Sequence, residues 1–188
     1  MRYLIVDLEA TCWEQRGYGA SKMEIIEIGA VMLATASGPI EAEFDSFVRP
    51  LENPILSEFC TRLTGIRQED VDSAEPFLAA FDRFIAWAGS EPYTMCSWGQ
   101  YDLKQFEVDF KRHRMQRPRS FGRHINVKRA FCESRGIKLC GMKRALELTD
   151  LPLEGSHHRG IDDARNIARL AVLILPEIEA RISNTESS

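Results

Sequence analysis

Asp7 and Glu9 close the apolar run Met1-Arg2-Tyr3-Leu4-Ile5-Val6 and are separated by a single leucine. Side chains of a strand alternate with period two, so Tyr3, Ile5, Asp7 and Glu9 share one face while Leu4, Val6 and Leu8 take the other. Two carboxylates on one face of a mostly buried strand create a chemical conflict. Desolvation and mutual repulsion push a proton onto one of them unless a cation sits between them. A bound divalent metal removes the conflict, and so does a strand whose acidic end simply reaches solvent. These nine residues by themselves leave both open.

Three further residues, two carboxylates and a histidine, stand at the ends of elements, where function gathers. Asp102 follows the apolar segment Tyr93 to Trp98 and enters a helix, where a plain N-terminal cap is the simpler use of a carboxylate. In Ser156-His157-His158-Arg159-Gly160-Ile161-Asp162-Asp163, a histidine in a Gly-containing loop precedes an aspartate at the start of a long helix. His158 and Asp163 would then face one cavity, with the helix body fixing the carboxylate. Asp162 reads as the helix cap, and Asp163 falls on the side of Ile167, Leu170 and Ile174, which faces the core.

The elements that must position these groups are legible from periodicity and turn residues. After the first strand comes a loop with Trp13, Gly17 and Gly19, then a strand over Glu24 to Leu33, a turn at Gly38-Pro39, and a weakly alternating strand from Glu41 to Val48. Short connections make these three an antiparallel meander. Helices follow from Ser57 to Gly65 and from Pro76 to Gly89, with Ser57 as N-cap. Tyr93 to Trp98 is a fourth strand, Asp102 to His113 a helix, and Ile125-Asn126-Val127 a short fifth strand leading into a helix that ends at Gly136. Gly141 to Leu148 and about Asp162 to Arg181 are the last two helices, with Pro176 kinking or ending the second. A meander followed by α-β-α-β-α is an α/β fold, a mixed sheet with helices on both sides.

At 188 residues and 44% hydrophobic content the chain suits a single domain, taken as residues 1–182, with a polar, frayed tail at 183–188. No apolar run reaches the roughly 20 residues that cross a bilayer, so a soluble, cytoplasmic protein with no membrane role is expected. Cys12, Cys60, Cys96, Cys132 and Cys140 are odd in number and lack Cys-x-x-Cys spacing, which points to reduced thiols rather than zinc or a redox motif. The net charge of −4 argues against a generic nucleic-acid coat protein but not against an enzyme that grips phosphate through metal ions.

Asp7-x-Glu9, then Asp102, then His158-x-x-x-x-Asp163, in that order over nearly the whole chain, resembles the DEDDh group of 3′-to-5′ exonucleases. Asp7-Leu8-Glu9-Ala10-Thr11-Cys12, Arg49-Pro50, Phe59-Cys60-Thr61-Arg62-Leu63-Thr64-Gly65-Ile66, Ser97-Trp98-Gly99-x-Tyr101-Asp102 and His158-x-Gly160-x-Asp162-Asp163-x-x-Asn166-Ile167-Ala168 are most similar to one branch. That branch contains the eukaryotic exonuclease that trims histone-mRNA and small-RNA 3′ ends.

The resemblance implies a ribonuclease-H-like three-layer fold with a five-stranded sheet and hydrolysis of phosphodiester bonds from the 3′ end of single-stranded nucleic acid. RNA is favoured over DNA, with no protein partner evident. It also implies two divalent ions, Mg²⁺ or Mn²⁺, as cofactors. Asp7 would bridge both, Glu9 and Asp163 would complete one site, Asp102 would hold the other, and His158 would act as general base; the five-residue offset to Asp163 favours it over His157. Relatives bind the terminal sugar through backbone near the end of the Asp-x-Glu strand, here Ala10 and Thr11. Phe59, Leu63, Thr64 and Tyr101 are the candidates for contacting the terminal base, although core packing is an equal use of Phe59 and Leu63. Trp98 reads first as core, and Trp13 is a weaker platform. The basic stretch Lys111 to Arg119 either guides the strand's phosphates or is a solvated helix end. A catalytically silent RNA-binding module and a DNA exonuclease are the rival readings.

Overall fold

In the computed structural model, which describes residues 1–15, 19–121 and 123–186, strand β1 (Arg2–Ala10) is the centre of a five-stranded sheet. β2 (Ile25–Leu33) and β3 (Ile40–Phe47) lie on one side of it, β4 (Tyr93–Ser97) and β5 (His124–Asn126) on the other, in the order β3-β2-β1-β4-β5. β1, β2 and β3 are the expected antiparallel meander, and β4 and β5 run parallel to β1. Gly17 of the loop after β1 lies outside the described residues.

The period-two reading of β1 is realised as two cores. Tyr3 and Ile5 pack with α5 (Val127–Ser134), α6 (Met142–Glu147) and α7 (Gly160–Ala171). Leu4, Val6 and Leu8 pack under α3 (Phe77–Ala88) and α4 (Tyr101–Arg112). This second layer is dominated by rings: Phe81 lies 5.0 Å from Phe110 and 5.6 Å from Phe106, and Phe106 meets Phe121 edge-on at 5.2 Å. Each fully buried ring of this kind contributes about 2–3 kcal/mol by removal from water. A satellite core of Ile26, Leu56, Cys60, Ile66 and Val71 seats α1 (Glu58–Thr64) and α2 (Gln68–Asp72) beside the end of β2. Ser57 caps α1 as expected, accepting from Cys60 N at 3.0 Å.

Two expectations about the helices are corrected. The helix read from Asp162 to Arg181 is two: α7 stops at Ala171, and α8 (Leu175–Glu186) starts anew with Pro176 in its first turn, where a missing N–H costs nothing. Asp162 is not the cap of α7. The cap position is Arg159, in extended conformation, and the Asp162 carboxylate instead accepts from Ser156 N and pairs with Arg165. α2 is an addition, too short and too polar to show as a period.

α7 crosses the sheet at Gly29 with no room to spare. A Cβ at Gly29 would stand 1.9 Å from the carbonyl carbon of Gly160, and one at Gly160 would stand 3.1 Å from the Asp7 carbonyl oxygen. Gly29 lies opposite Asp7 in the β1/β2 register, so the start of α7 rests directly beside the acidic end of β1. Gly29→Ala is therefore expected to lower stability by about 2–3 kcal/mol through overpacking against backbone. Urea denaturation measures this, and a wild-type midpoint would contradict the close approach.

Candidate active site

The acidic end of β1 is open on its β4 side. β4 pairs only with Arg2 to Ile5, so the Leu8 N–H has no ladder partner there, and the Asp102 carboxylate accepts it at 3.1 Å. Asp102 is the second residue of α4 and is buried. Its carboxylate is thus anchored across the site to β1 rather than serving as a simple cap. On the β2 side Glu9 stands opposite Glu27, whose fully buried carboxylate accepts from Gly160 N at 3.0 Å and from the Arg159 guanidinium at 3.2 Å. Arg159 in turn lies over the Phe47 ring at 5.1 Å. Glu27 therefore fixes the start of α7, and α7 delivers Asp163 to Asp7 and Glu9. Carboxylate oxygens of Asp7, Glu9 and Asp163 come within 4.8 Å of one another.

The electrostatic result is severe. Burial, then the charges of Asp102, Glu9 and Asp163, hold the Asp7 carboxyl well above the usual carboxylate range. Burial, then Glu27 and Asp163, push Glu9 up to about 9. Asp102 is pushed up to about 6 by burial, against the opposing help of the Leu8 N–H. Among the described residues no lysine or arginine forms an ion pair with Asp7, Glu9, Asp102 or Asp163. The group is built of hard oxygen donors and is short of positive charge.

Asp163 also organises the histidines. Its carboxylate accepts from His158 N at 3.0 Å and lies 2.9 Å from His157 Nδ1. The two imidazoles stack with centroids 4.0 Å apart, His158 having a left-handed backbone (φ 66°). Burial and the neighbouring His157 ring push His158 below its ordinary value, with Asp163 opposing. Ligand atoms of His157, His158 and Asp163 also lie within 4.8 Å of one another.

These groups surround a cavity of about 370 Å³. Of the residues expected at the site, Asp7, Glu9, Ala10, Leu63, Tyr101, Asp102, His158 and Asp163 all line it. Thr11, Phe59 and Thr64 do not. The Thr11 hydroxyl accepts from Glu24 N and its N–H donates to Glu24 O, and Thr64 Oγ1 donates to Cys60 O, so the polar groups of both are consumed in turns. Phe59 is half-buried and near Arg62, its ring 5.9 Å from the guanidinium. Tyr101 keeps its proton, because burial and Asp102 push its hydroxyl up.

The cavity also takes in Trp98, Cys12, Met23, Gly141, Met142, His157 and Ile167. Met23 is held by Gln105 Nε2, which donates to its carbonyl at 3.0 Å. Nothing in spacing singles out Met23 or Met142. Glu27 had a signal, an acid flanked by isoleucines in a central strand. The basic stretch stands at the far end of α4 from Asp102, ten residues and about 15 Å along the helix by Arg112. Two of its arginines are occupied, Arg112 with Asp109 and Glu52, and Arg117 with Glu107.

Residues 4–171 match the model of the exonuclease family. ERI1 exoribonuclease 2 of Mus musculus is 37% identical over 190 residues, covering 89% of this chain and 28% of that protein. The 3′-5′ exonuclease Snipper of Drosophila melanogaster is 33% identical, covering 89% of this chain and 66% of its own length. The chain spans about a third or less of the ERI1 exoribonuclease 2 relatives it matches. Among solved structures, the nuclease domain of 3′hExo, a DEDDh family member bound to rAMP, superposes with a TM-score of 0.86 at 32% identity, covering 94% of this chain and 92% of that one. A domain so closely matched in sequence, in layer order and over its whole length places the chain in the DEDDh exonuclease family.

Proposed function

We propose that this chain is a metal-dependent 3′-to-5′ exonuclease that shortens single-stranded RNA and releases nucleoside 5′-monophosphates. The observation that carries the reading is the convergence of the Asp7, Glu9 and Asp163 carboxylates within 4.8 Å, in a largely buried setting with no ion-pairing lysine or arginine among the described residues, beside Asp102 in one cavity. Oxygen donors of this kind suit Mg²⁺ or Mn²⁺. Asp7, Glu9 and Asp163 would hold one ion, and Asp7 with Asp102 the second. When bound, two such ions supply a water nucleophile at neutral pH and offset the charge that develops on the phosphoryl and departing 3′ oxygens.

The chain's own residues do the rest. Ala10, Leu63 and Tyr101 line the part of the cavity where a terminal nucleotide would be received. His158, kept neutral by burial, takes the proton of the attacking water. Names of relatives support RNA: ERI1 exoribonuclease 2, and the 3′hExo domain bound to rAMP. The five free cysteines fit a reducing compartment, and we place the protein in the cytoplasm.

Incubation with 5′-labelled RNA and its DNA counterpart, with Mg²⁺, Mn²⁺ or chelator, tests the reading. A metal-dependent ladder shortening from the 3′ end of RNA supports it; intact strands of both kinds would sink it, and DNA cleaved as fast as RNA would remove the sugar preference. Asp7→Asn should abolish shortening with the fold retained by circular dichroism. His158→Ala should lower kcat by about 10²–10⁴-fold, as expected for a general base. His157→Ala should cost much less, and equal losses would reassign the base.

The raised carboxyls also fix a pH dependence. A carboxyl whose folded pKa exceeds its unfolded value contributes stability that is complete below the unfolded pKa and is lost as pH rises toward the folded one. For Glu9 that window runs from about 4.5 to about 9. Thermal unfolding in chelator should therefore show Tm falling as pH rises across that window, while Mn²⁺ should raise Tm more at pH 8 than at pH 6. A Tm gain from Mn²⁺ independent of pH would contradict the coupling.

A further inference from the structure

With the basic stretch held at the far end of α4, the strand's phosphates need another cation near the cavity. Lys128, in the first turn of α5, is placed for it. Its Nζ lies 3.8 Å from where a Cβ on Gly99 would stand, so the ammonium is packed over the loop joining β4 to α4, between Trp98 and Asp102. It is half-buried and, among the described residues, makes no ion pair or hydrogen bond; its field reaches Asp102 without contact. Beside it is a second unsatisfied donor. The indole Nε1 of Trp98, whose ring packs at 5.9 Å on Phe131 of the same α5, is buried with no hydrogen-bond partner. Trp98 lines the acidic cavity and Lys128 stands over the adjoining loop, and the indole N–H invites an acceptor, because a buried donor left unpaired costs about 1–3 kcal/mol.

Charge counting points the same way. Asp7, Glu9, Asp102 and Asp163 carry four formal negative charges, which two divalent ions would just neutralise. Each further phosphate of the strand then brings an uncompensated negative charge toward the site. Leu63 and Ala10 lie on the α1 side of the cavity, whereas Trp98 and Met142 lie on the α5–α6 side. A terminal nucleotide seated on the α1 side would leave the Trp98 side, over which Lys128 stands, for the preceding linkage.

We propose that Lys128 is a substrate-positioning residue that grips the phosphodiester immediately 5′ of the scissile one, with the Trp98 indole N–H as a second donor. This rests on the exonuclease reading above. Lysine serves here as a point charge on a flexible stem, able to follow successive phosphates as the strand advances.

The experiment compares wild type, Lys128→Gln and Lys128→Arg on an RNA oligonucleotide carrying either natural linkages or one uncharged methylphosphonate 5′ of the scissile bond. Binding is read by fluorescence anisotropy in Ca²⁺ and hydrolysis in Mg²⁺. Lys128→Gln should raise KM and Kd about 10-fold with kcat within about two-fold, and lower the salt slope of binding by about 0.7, the value for one contact to a single strand. Lys128→Arg should recover most of the affinity. The methylphosphonate should weaken wild type by the same factor and leave Lys128→Gln unaffected. If wild type degrades RNA while Lys128→Gln matches it in KM, Kd and slope, or if the methylphosphonate penalty is equal in both proteins, the assignment is overturned. If wild type binds RNA with the expected Lys128 dependence but does not shorten it, the exonuclease reading fails and the phosphate site stands.

Discussion

The contact between Gly29 and Gly160 is the constraint on which the site depends. Two residues 131 positions apart both lack a Cβ at the one point where α7 crosses the sheet. That absence lets the first turn of α7 descend until its Gly160 N–H reaches the Glu27 carboxylate. A negative charge at a helix N-terminus is favourable, and Arg159 supplies a second partner, so a carboxylate that would be prohibitive in a central strand becomes an anchor. Burial still pushes Glu27 up to about 7 against those partners, which shows how dry the junction is. Once α7 is seated, the Asp163 carboxylate stands between Asp7 and Glu9 on one side and the histidine pair on the other.

This arrangement concentrates like charges, and the rest of the fold must tolerate it. The two faces of β1 divide the task. One face ends in Asp7 and Glu9; the other carries Leu4, Val6 and Leu8 into the ring cluster of α3 and α4. Because α4 belongs to that cluster through Phe106 and Phe110 and also carries Asp102 in its first turn, aromatic packing fixes where the fourth carboxylate stands. A loosely packed α4 would let Asp102 swing toward solvent and relieve the repulsion. The Leu8 N–H that it accepts adds a directional restraint to the hydrophobic one.

What was legible in the sequence follows the same division. The meander and the sidedness of β1 were readable because period-two alternation and turn residues are local signals. Asp7, Glu9, Asp102, His158 and Asp163 were singled out by type and position, and the structure brings all five to one cavity. Roles that depend on distant partners were not readable. Glu27 is an anchor only because Gly160 and Arg159 arrive 132 and more residues later, and Lys128 gains meaning only from lying over Gly99. The hydroxyls of Thr11 and Thr64 are both engaged by backbone, that of Thr11 by Glu24 N across the loop and that of Thr64 by Cys60 O within α1, and neither residue lines the cavity. The single helix expected from Asp162 to Arg181 failed because an apolar row continues across the turn at Val172 to Ile174, so period alone does not see the break.

The histidine pair is where spacing and contact differ. Spacing favours His158, yet His157 is the ring in contact with Asp163. A general base needs an unengaged nitrogen lone pair facing the reacting water. His157 has its Nδ1 on Asp163, a contact that orients the ring and leaves its Nε2 lone pair available, whereas the His158 ring makes no hydrogen bond among the described residues and reaches Asp163 only through its backbone N–H. That backbone bond, made possible by the left-handed conformation of His158, fixes the residue without occupying its imidazole. Burial and the stacked neighbour disfavour the charged form of His158. Both rings therefore keep a free nitrogen, one oriented by the Asp163 carboxylate and the other held in place by its own backbone.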